Sequence, residues 1–173
     1  MHEREDAMGI IVTGKVWKFG DGVPTDHMAP GFAIALPWEQ RKKHILYVHK
    51  AFTEQFQPGD VIVAGTNFGC GSSREEAPAD LKQLGIGCVV AESFARTFLR
   101  NCVAIGLPVM ACKGVSALFN EGDRLELDFE NARVRNLTTG KDLKGPPLAP
   151  DLVNIMRKGG ILELLRSEKQ ATR

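Results

Sequence analysis

Two hydrophobic rhythms alternate along this chain, a period of two and a period near four, and their order predicts its elements. Residues 10–17 read as a first strand, and residues 60–64, with the apolar run Val61-Ile62-Val63-Ala64, as a buried one. Residues 20–37 follow neither rhythm and read as an irregular loop, long enough to point to function. Residues 40–56 contain a helix. Residues 75–84 form another, stopped by Gly85, and residues 87–91 return as a strand. Phe94, Phe98 and Cys102 recur every four residues, so residues 94–105 are helical up to Gly106, and residues 107–111 form the next strand. Leu125, Leu127 and Phe129 alternate in a half-exposed strand over residues 124–129. Residues 134–137 return beside it, followed by a turn at Thr138-Thr139-Gly140. Pro146-Pro147 introduces a last helical segment ending at Gly159-Gly160. Residues before Gly9 and residues 169–173 are expected to fray.

Strand, helix, strand, helix, strand through the middle of the chain argues for an α/β fold with parallel pairing and right-handed crossovers. There is no repeat, low-complexity tract or second core, so residues 1–173 are expected to be a single domain with an ordered core at about residues 9–166. Composition adds mainly exclusions. Hydrophobic content of 43% and charged content of 25% are those of an ordinary globule. With 22 basic and 21 acidic side chains, a net charge of +1 gives no footprint for nucleic acid or an anionic membrane. No apolar run reaches membrane-span length, and the charged start His2-Glu3-Arg4-Glu5-Asp6 lacks the apolar centre of a signal peptide. The four cysteines form no disulfide framework, so a reducing cytoplasm is the expected address.

The candidate chemistry sits where the strand at residues 60–64 meets the helix at residues 75–84. That corner reads Gly65-Thr66-Asn67-Phe68-Gly69-Cys70-Gly71-Ser72-Ser73-Arg74-Glu75-Glu76-Ala77-Pro78. Such corners are where α/β sheets bind ligands, and a helix start favours an anion. Arg74 adds a planar fork that fits a carboxylate or phosphate. The loop is not a Walker loop, since no lysine follows the glycines. It is not a dinucleotide fingerprint, since Arg74 takes the third glycine position, and the serines lack a hydrolase elbow frame. Ser72-x-x-Glu75 and Ser73-x-x-Glu76 are also legal capping boxes, so a purely structural role for either serine stands beside the functional one.

The run from Gly69 to Glu75, with Ala77-Pro78, resembles the signature of the aconitase superfamily's swivelling domain, in its isopropylmalate isomerase small-subunit form. Further segments agree in order: Thr25-Asp26-His27-Met28-Ala29-Pro30, Pro58 to Gly65, Glu92-Ser93-Phe94-Ala95-Arg96 with Asn101 and Gly106-Leu107-Pro108, and Arg157-Lys158-Gly159-Gly160-Ile161. The resemblance implies a three-layer β/β/α domain. It also implies a hydro-lyase that moves water across a carbon–carbon double bond of a branched hydroxy-dicarboxylic acid, as in leucine biosynthesis. On this reading Ser72 is the base and Ser73 and Arg74 bind substrate carboxylate, with Thr25, Asp26 and His27 lining the same cleft. The segment 24–30 also reads as a plain turn. The family's usual G-R-Y-L-like continuation is replaced by Gly31-Phe32-Ala33-Ile34-Ala35-Leu36, so Phe32, Ile34 and Leu36 are either an apolar specificity loop or a partner interface. Arg41 is a candidate for the missing arginine, and Glu76 stands where the family commonly has histidine.

The resemblance also implies a [4Fe–4S] cluster. Cys70, Cys88, Cys102 and Cys112 contain no C-x-x-C pair, and His2, His27, His44 and His49 form no metal-spaced pair on a convincing element, so no metal is expected on this chain. The cluster is expected on a large-subunit partner, with this polypeptide supplying half of a composite site. Three alternatives remain open at this level: a related dehydratase subunit for a dimethylmalate or homoaconitate type of substrate, a stand-alone anion-binding module, and a serine hydrolase, for which no histidine is framed as base.

Overall fold

The first strand, β1 (Ile11–Lys18), changes partners halfway along. Residues 11–15 pair antiparallel with β5 (Arg124–Asp128), and residues 16–18 pair parallel with β2 (Val61–Ala64). Gly14 lies at the changeover, where a Cβ would overlap the Gly59 carbonyl; a strand glycine commonly marks such a close backbone approach. Beyond β2 the parallel half continues through β3 (Val89–Ala91) and β4 (Val109–Ala111). Beyond β5 the antiparallel half continues through β6 (Arg133–Asn136) and β7 (Asp142–Lys144). The order is β4-β3-β2-β1-β5-β6-β7. This arrangement comes from a computed structural model that describes residues 10–171.

The helical segments are α1 (Thr25–Met28), α2 (Trp38–Arg41), α3 (Lys50–Gln55), α4 (Glu76–Leu84), α5 (Arg96–Ile105), α6 (Val115–Leu118), α7 (Pro150–Arg157) and α8 (Ile161–Ala171), with a 3-10 turn at Lys42–His44. Burial explains the layers. Every residue of β2 and β3 is buried, as a parallel strand covered on both faces requires. β5 and β6 alternate instead, turning Leu125, Leu127, Val134 and Asn136 inward. Helices, parallel strands and antiparallel strands thus stack as three layers, and among the described residues the buried apolar side chains join in one cluster. α5 packs against α4, α7 and α8, so the helical layer is continuous.

The expected strands are all present, and the two middle helices end at Gly85 and Gly106 in left-handed caps. Other expectations need correction. The helix expected within residues 40–56 is broken into α2, the 3-10 turn and α3, because Leu46 sits buried in a left-handed conformation (φ 53°) between them. The loop at residues 20–37 holds the single turn α1. The chain does not end its helical structure at Gly159-Gly160: after that left-handed pair it resumes as α8, which includes Lys169 and Gln170 instead of fraying. The expectation for the residues before Gly9 lies outside the described residues.

Candidate functional site

The serine loop is held on two sides by segments distant in sequence. On one side Gly22 N–H donates to the Thr66 carbonyl (2.8 Å), Gly69 N–H to the Val23 carbonyl (2.8 Å) and Thr25 N–H to the Cys70 carbonyl (2.9 Å), while the Asp21 carboxylate accepts from Thr66 N–H (2.6 Å). On the other, Asn67 N–H donates to Ser93 Oγ (2.8 Å), Phe68 N–H to the Ser93 carbonyl (3.0 Å) and Ala95 N–H to the Phe68 carbonyl (2.9 Å). The Phe68 ring lies edge-on to both Phe94 and Phe98. Gly69, with φ 79°, passes so close to Phe98 that a Cβ would overlap its ring. A left-handed backbone and a crowded approach both demand glycine there.

This framework brings Thr25 and Ser72 together. Thr25 is 1% exposed, and its hydroxyl donates to the Ser72 carbonyl (3.0 Å) while lying 3.2 Å from Ser72 Oγ. With one proton and two acceptors within reach, that hydroxyl can turn toward Ser72 Oγ when charge develops there. Ser72 and Ser73 are exposed, and neither caps α4, whose N-cap position is Glu75 without a side-chain bond. The capping-box reading is therefore set aside.

Arg74 is fixed at one edge only. Its Nη1 donates to Asp26 Oδ1 (2.6 Å) and to the Ala29 carbonyl (2.7 Å), whereas Nε and Nη2 have no partner among the described residues. Asp26 thus orients the arginine and leaves a second edge for an anion. His27 stands half-buried beside them, its ring edge-on to Tyr47 at 5.8 Å. Phe32 is 66% exposed and packs edge-on against His44 and Tyr47, while Ile34 and Leu36 are half-buried. Gly31 lies beside the Arg74 guanidinium, where a Cβ would sit 3.6 Å from Nη2.

Arg41 is committed elsewhere. Its Nε pairs with Asp80 (2.8 Å) and its Nη1 donates to the Ile34 carbonyl (3.2 Å). Asp80, on α4, is nearly inaccessible; burial pushes its carboxyl up, Arg41 pulls it down, and the net direction is up. Glu76, in the first turn of α4, makes no hydrogen bond to the serines among the described residues. Tyr47, Asp80 and the Ala29 carbonyl are parts of this region that the sequence did not single out. An aspartate among the apolar positions of a helix was the visible hint of a buried pair, but nothing in the sequence named its partner.

The cysteines do not suit an iron–sulfur cluster. Burial pushes the thiols of Cys88, Cys102 and Cys112 up, away from the thiolate a cluster needs, and Cys70 is the one of the four that is not buried. Among the described residues no group of three or more His, Cys, Asp or Glu side chains is placed to hold a metal ion, and no helix is long and apolar enough to cross a membrane.

A strand-to-helix serine loop on a three-layer β/β/α domain defines an aconitase-type swivelling domain, and residues 38–113 match the aconitase C-terminal domain family. The isopropylmalate/citramalate isomerase small subunit of Methanocaldococcus jannaschii is 45% identical over 163 residues, covering 93% of this chain and 97% of that one. The 3-isopropylmalate dehydratase small subunit 1 of Thermotoga maritima is 46% identical, covering 90% and 95%. The crystal structure of a 3-isopropylmalate dehydratase from M. jannaschii superposes with a TM-score of 0.86 at 33% identity, covering 94% of this chain and 98% of the other. The chain belongs to the 3-isopropylmalate dehydratase small-subunit family of hydro-lyases.

Proposed function

We propose that this chain supplies the base and the carboxylate clamp for the isomerisation of a branched 2-hydroxy-dicarboxylic acid, 2-isopropylmalate to 3-isopropylmalate, by loss and return of water. The observation that carries the reading is the exposed Ser72 hydroxyl held by buried Thr25 beside an arginine with one free edge. The proton to be removed lies on a carbon next to a carboxylate and is weakly acidic, so its base must be strong and positioned. Serine serves only if its alkoxide is stabilised by fixed donors and positive charge. Thr25 can supply the donor and Arg74 the charge. Ser73, whose hydroxyl has no partner among the described residues, joins Arg74 on the substrate carboxylate, and His27 borders the same cleft.

Since this chain's cysteines do not fit a cluster, the proposal places the [4Fe–4S] group on a large subunit, where it would supply the Lewis acid for the departing hydroxyl. The address that goes with this reading is the cytoplasm. Substrate choice follows from charge. A homoaconitase small subunit of Methanothermobacter thermautotrophicus is 42% identical, almost as similar as the isopropylmalate relatives, so overall identity does not select the substrate. What supports an alkyl-branched substrate is the segment that follows Gly31 beside Arg74: it carries Phe32, Ile34 and Leu36, and Arg41 is bound to Asp80. An apolar wall suits an alkyl branch better than the additional carboxylate of a homoaconitate-type substrate.

Anaerobic co-expression with a cluster-bearing large subunit, assayed by absorbance of the unsaturated acid over a panel of branched malates, tests this. Turnover should need both chains, and Ser72→Ala should keep the fold while lowering kcat by about 10²–10⁴-fold. Full activity in Ser72→Ala would remove the serine from the chemistry. Tight dicarboxylate binding by the isolated chain, with no turnover in any complex, would favour an anion-binding module.

A further inference from the structure

The loop that covers the carboxylate-binding arginine is tied to the helix that presents it. Residues 31–37 leave Pro30 in tight turns, with Ala33 N–H donating to the Pro30 carbonyl (2.8 Å) and Leu36 N–H to the Ala33 carbonyl (3.0 Å). Their one side-chain tether to the rest of the molecule, among the described hydrogen bonds, is Arg41 Nη1 on the Ile34 carbonyl (3.2 Å). The same guanidinium reaches Asp80 with Nε (2.8 Å), and that pair is sheltered, at 17% and 3% side-chain exposure. Asp80 lies in α4, whose start follows directly on Ser72, Ser73 and Arg74. At its other end the loop returns to the same place, since Gly31 lies against Nη2 of Arg74. The loop is thereby tied to α4 through Arg41, and its first residue lies beside the arginine that precedes that helix.

We infer that Arg41 is a positioning residue: through Asp80 it sets the height of the 31–37 loop over Arg74, and so the affinity of the assembled enzyme for its substrate. This rests on the proposed role of Arg74. Arginine suits the task because its fork holds two acceptors in different directions at once, which a lysine ammonium does less rigidly. The pair touches no reacting atom, so it acts on binding. A substrate whose carboxylate takes the free edge of Arg74 lies beside Gly31, and a loop free to lift loses that contact without disturbing Ser72.

Two measurements keep this inference separate from the functional reading. In the isolated chain, Arg41→Ala should speed amide hydrogen exchange at Ala33 and Leu36 at least tenfold while exchange in β2 and β3 stays as in wild type. In the assembled enzyme, Arg41→Ala should raise KM about tenfold with kcat within threefold, and Arg41→Lys should recover part of the KM. Arg41→Ala/Asp80→Ala removes the buried carboxylate as well; it should regain thermal stability relative to Arg41→Ala yet keep the high KM. Unchanged loop exchange, or a lowered melting temperature with KM and kcat both unchanged, would reduce the pair to a structural tie and overturn the inference. A fall confined to kcat would also overturn it, since positioning of the loop predicts an effect on KM. If the wild-type complex turns over no substrate while the loop exchange responds as stated, the functional reading fails and the proposed effect on substrate affinity fails with it, leaving a mechanical tether.

Discussion

Gly69 and Gly71 both hold the serine loop in a left-handed backbone, with φ 79° and 92°, but their surroundings differ. A Cβ at Gly71 meets nothing closer than 3.7 Å, so Gly71→Ala should cost only the backbone term, about 1–2 kcal/mol. At Gly69 the new atom would overlap the Phe98 ring, and Gly69→Ala should cost about 3 kcal/mol or more once crowding is added to backbone strain. Urea titrations of the two variants check the difference in cost. The glycines, both serines and Arg74 were legible in the sequence because a glycine-rich turn between a strand and a helix is a local pattern. Their partners were not. Thr25 and Asp26 both read as cleft residues on a segment that also reads as a plain turn, whereas Asp26 holds Arg74 and Thr25 is buried against Ser72. Such relations join positions almost fifty apart in sequence, and no periodicity encodes them.

Short elements depend on what ties them together. α6, a single turn, starts where the Glu92 carboxylate accepts from Gly114 N–H (2.7 Å), Ser116 N–H (2.8 Å) and Ser116 Oγ–H (2.6 Å), which joins the end of β3 to the start of α6. Burial alone would push the Glu92 carboxyl up; these bonds outweigh it and hold the group below the usual glutamate range. A carboxyl depressed in the folded state stabilises the protein above its unfolded pKa, and that stability is lost as pH falls through the folded one. Glu92→Gln should therefore melt below wild type at neutral pH, and the gap should close as pH drops through and below the usual glutamate range; melting curves across pH 7 to 3 test this. Elements with a strong rhythm were readable, including β2, α4, β5 and α5. The misses have physical reasons: β7 is three mostly exposed residues without an apolar face, α6 is too short to show a period, and Gly159-Gly160 ended one helix while hiding that Ile161, Leu164 and Leu165 begin another.

At the scale of the whole molecule, the two sheet halves share β1 and, among the described residues, one apolar cluster. Neither half has a core of its own, so the isolated chain should unfold in a single transition, with calorimetric and van't Hoff enthalpies equal. Two separated transitions would show that the halves melt independently. The parallel–helical alternation gave the α/β class from sequence alone, but not the fact that β1 serves both halves, because a strand's pattern records which faces are buried and not which neighbours pair with it.

That shared strand has a consequence for how the protein is made. β1 leaves the ribosome before both of its partners: its parallel partner β2 follows about forty residues later, but its antiparallel partner β5 begins only at Arg124. Until β5 is made, the nascent chain carries β1 without its antiparallel partner, a ready template for pairing with another chain. Pairing so distant in sequence is slow to form. The interval before β5 emerges is therefore when this polypeptide is most exposed to misassembly and most in need of a chaperone.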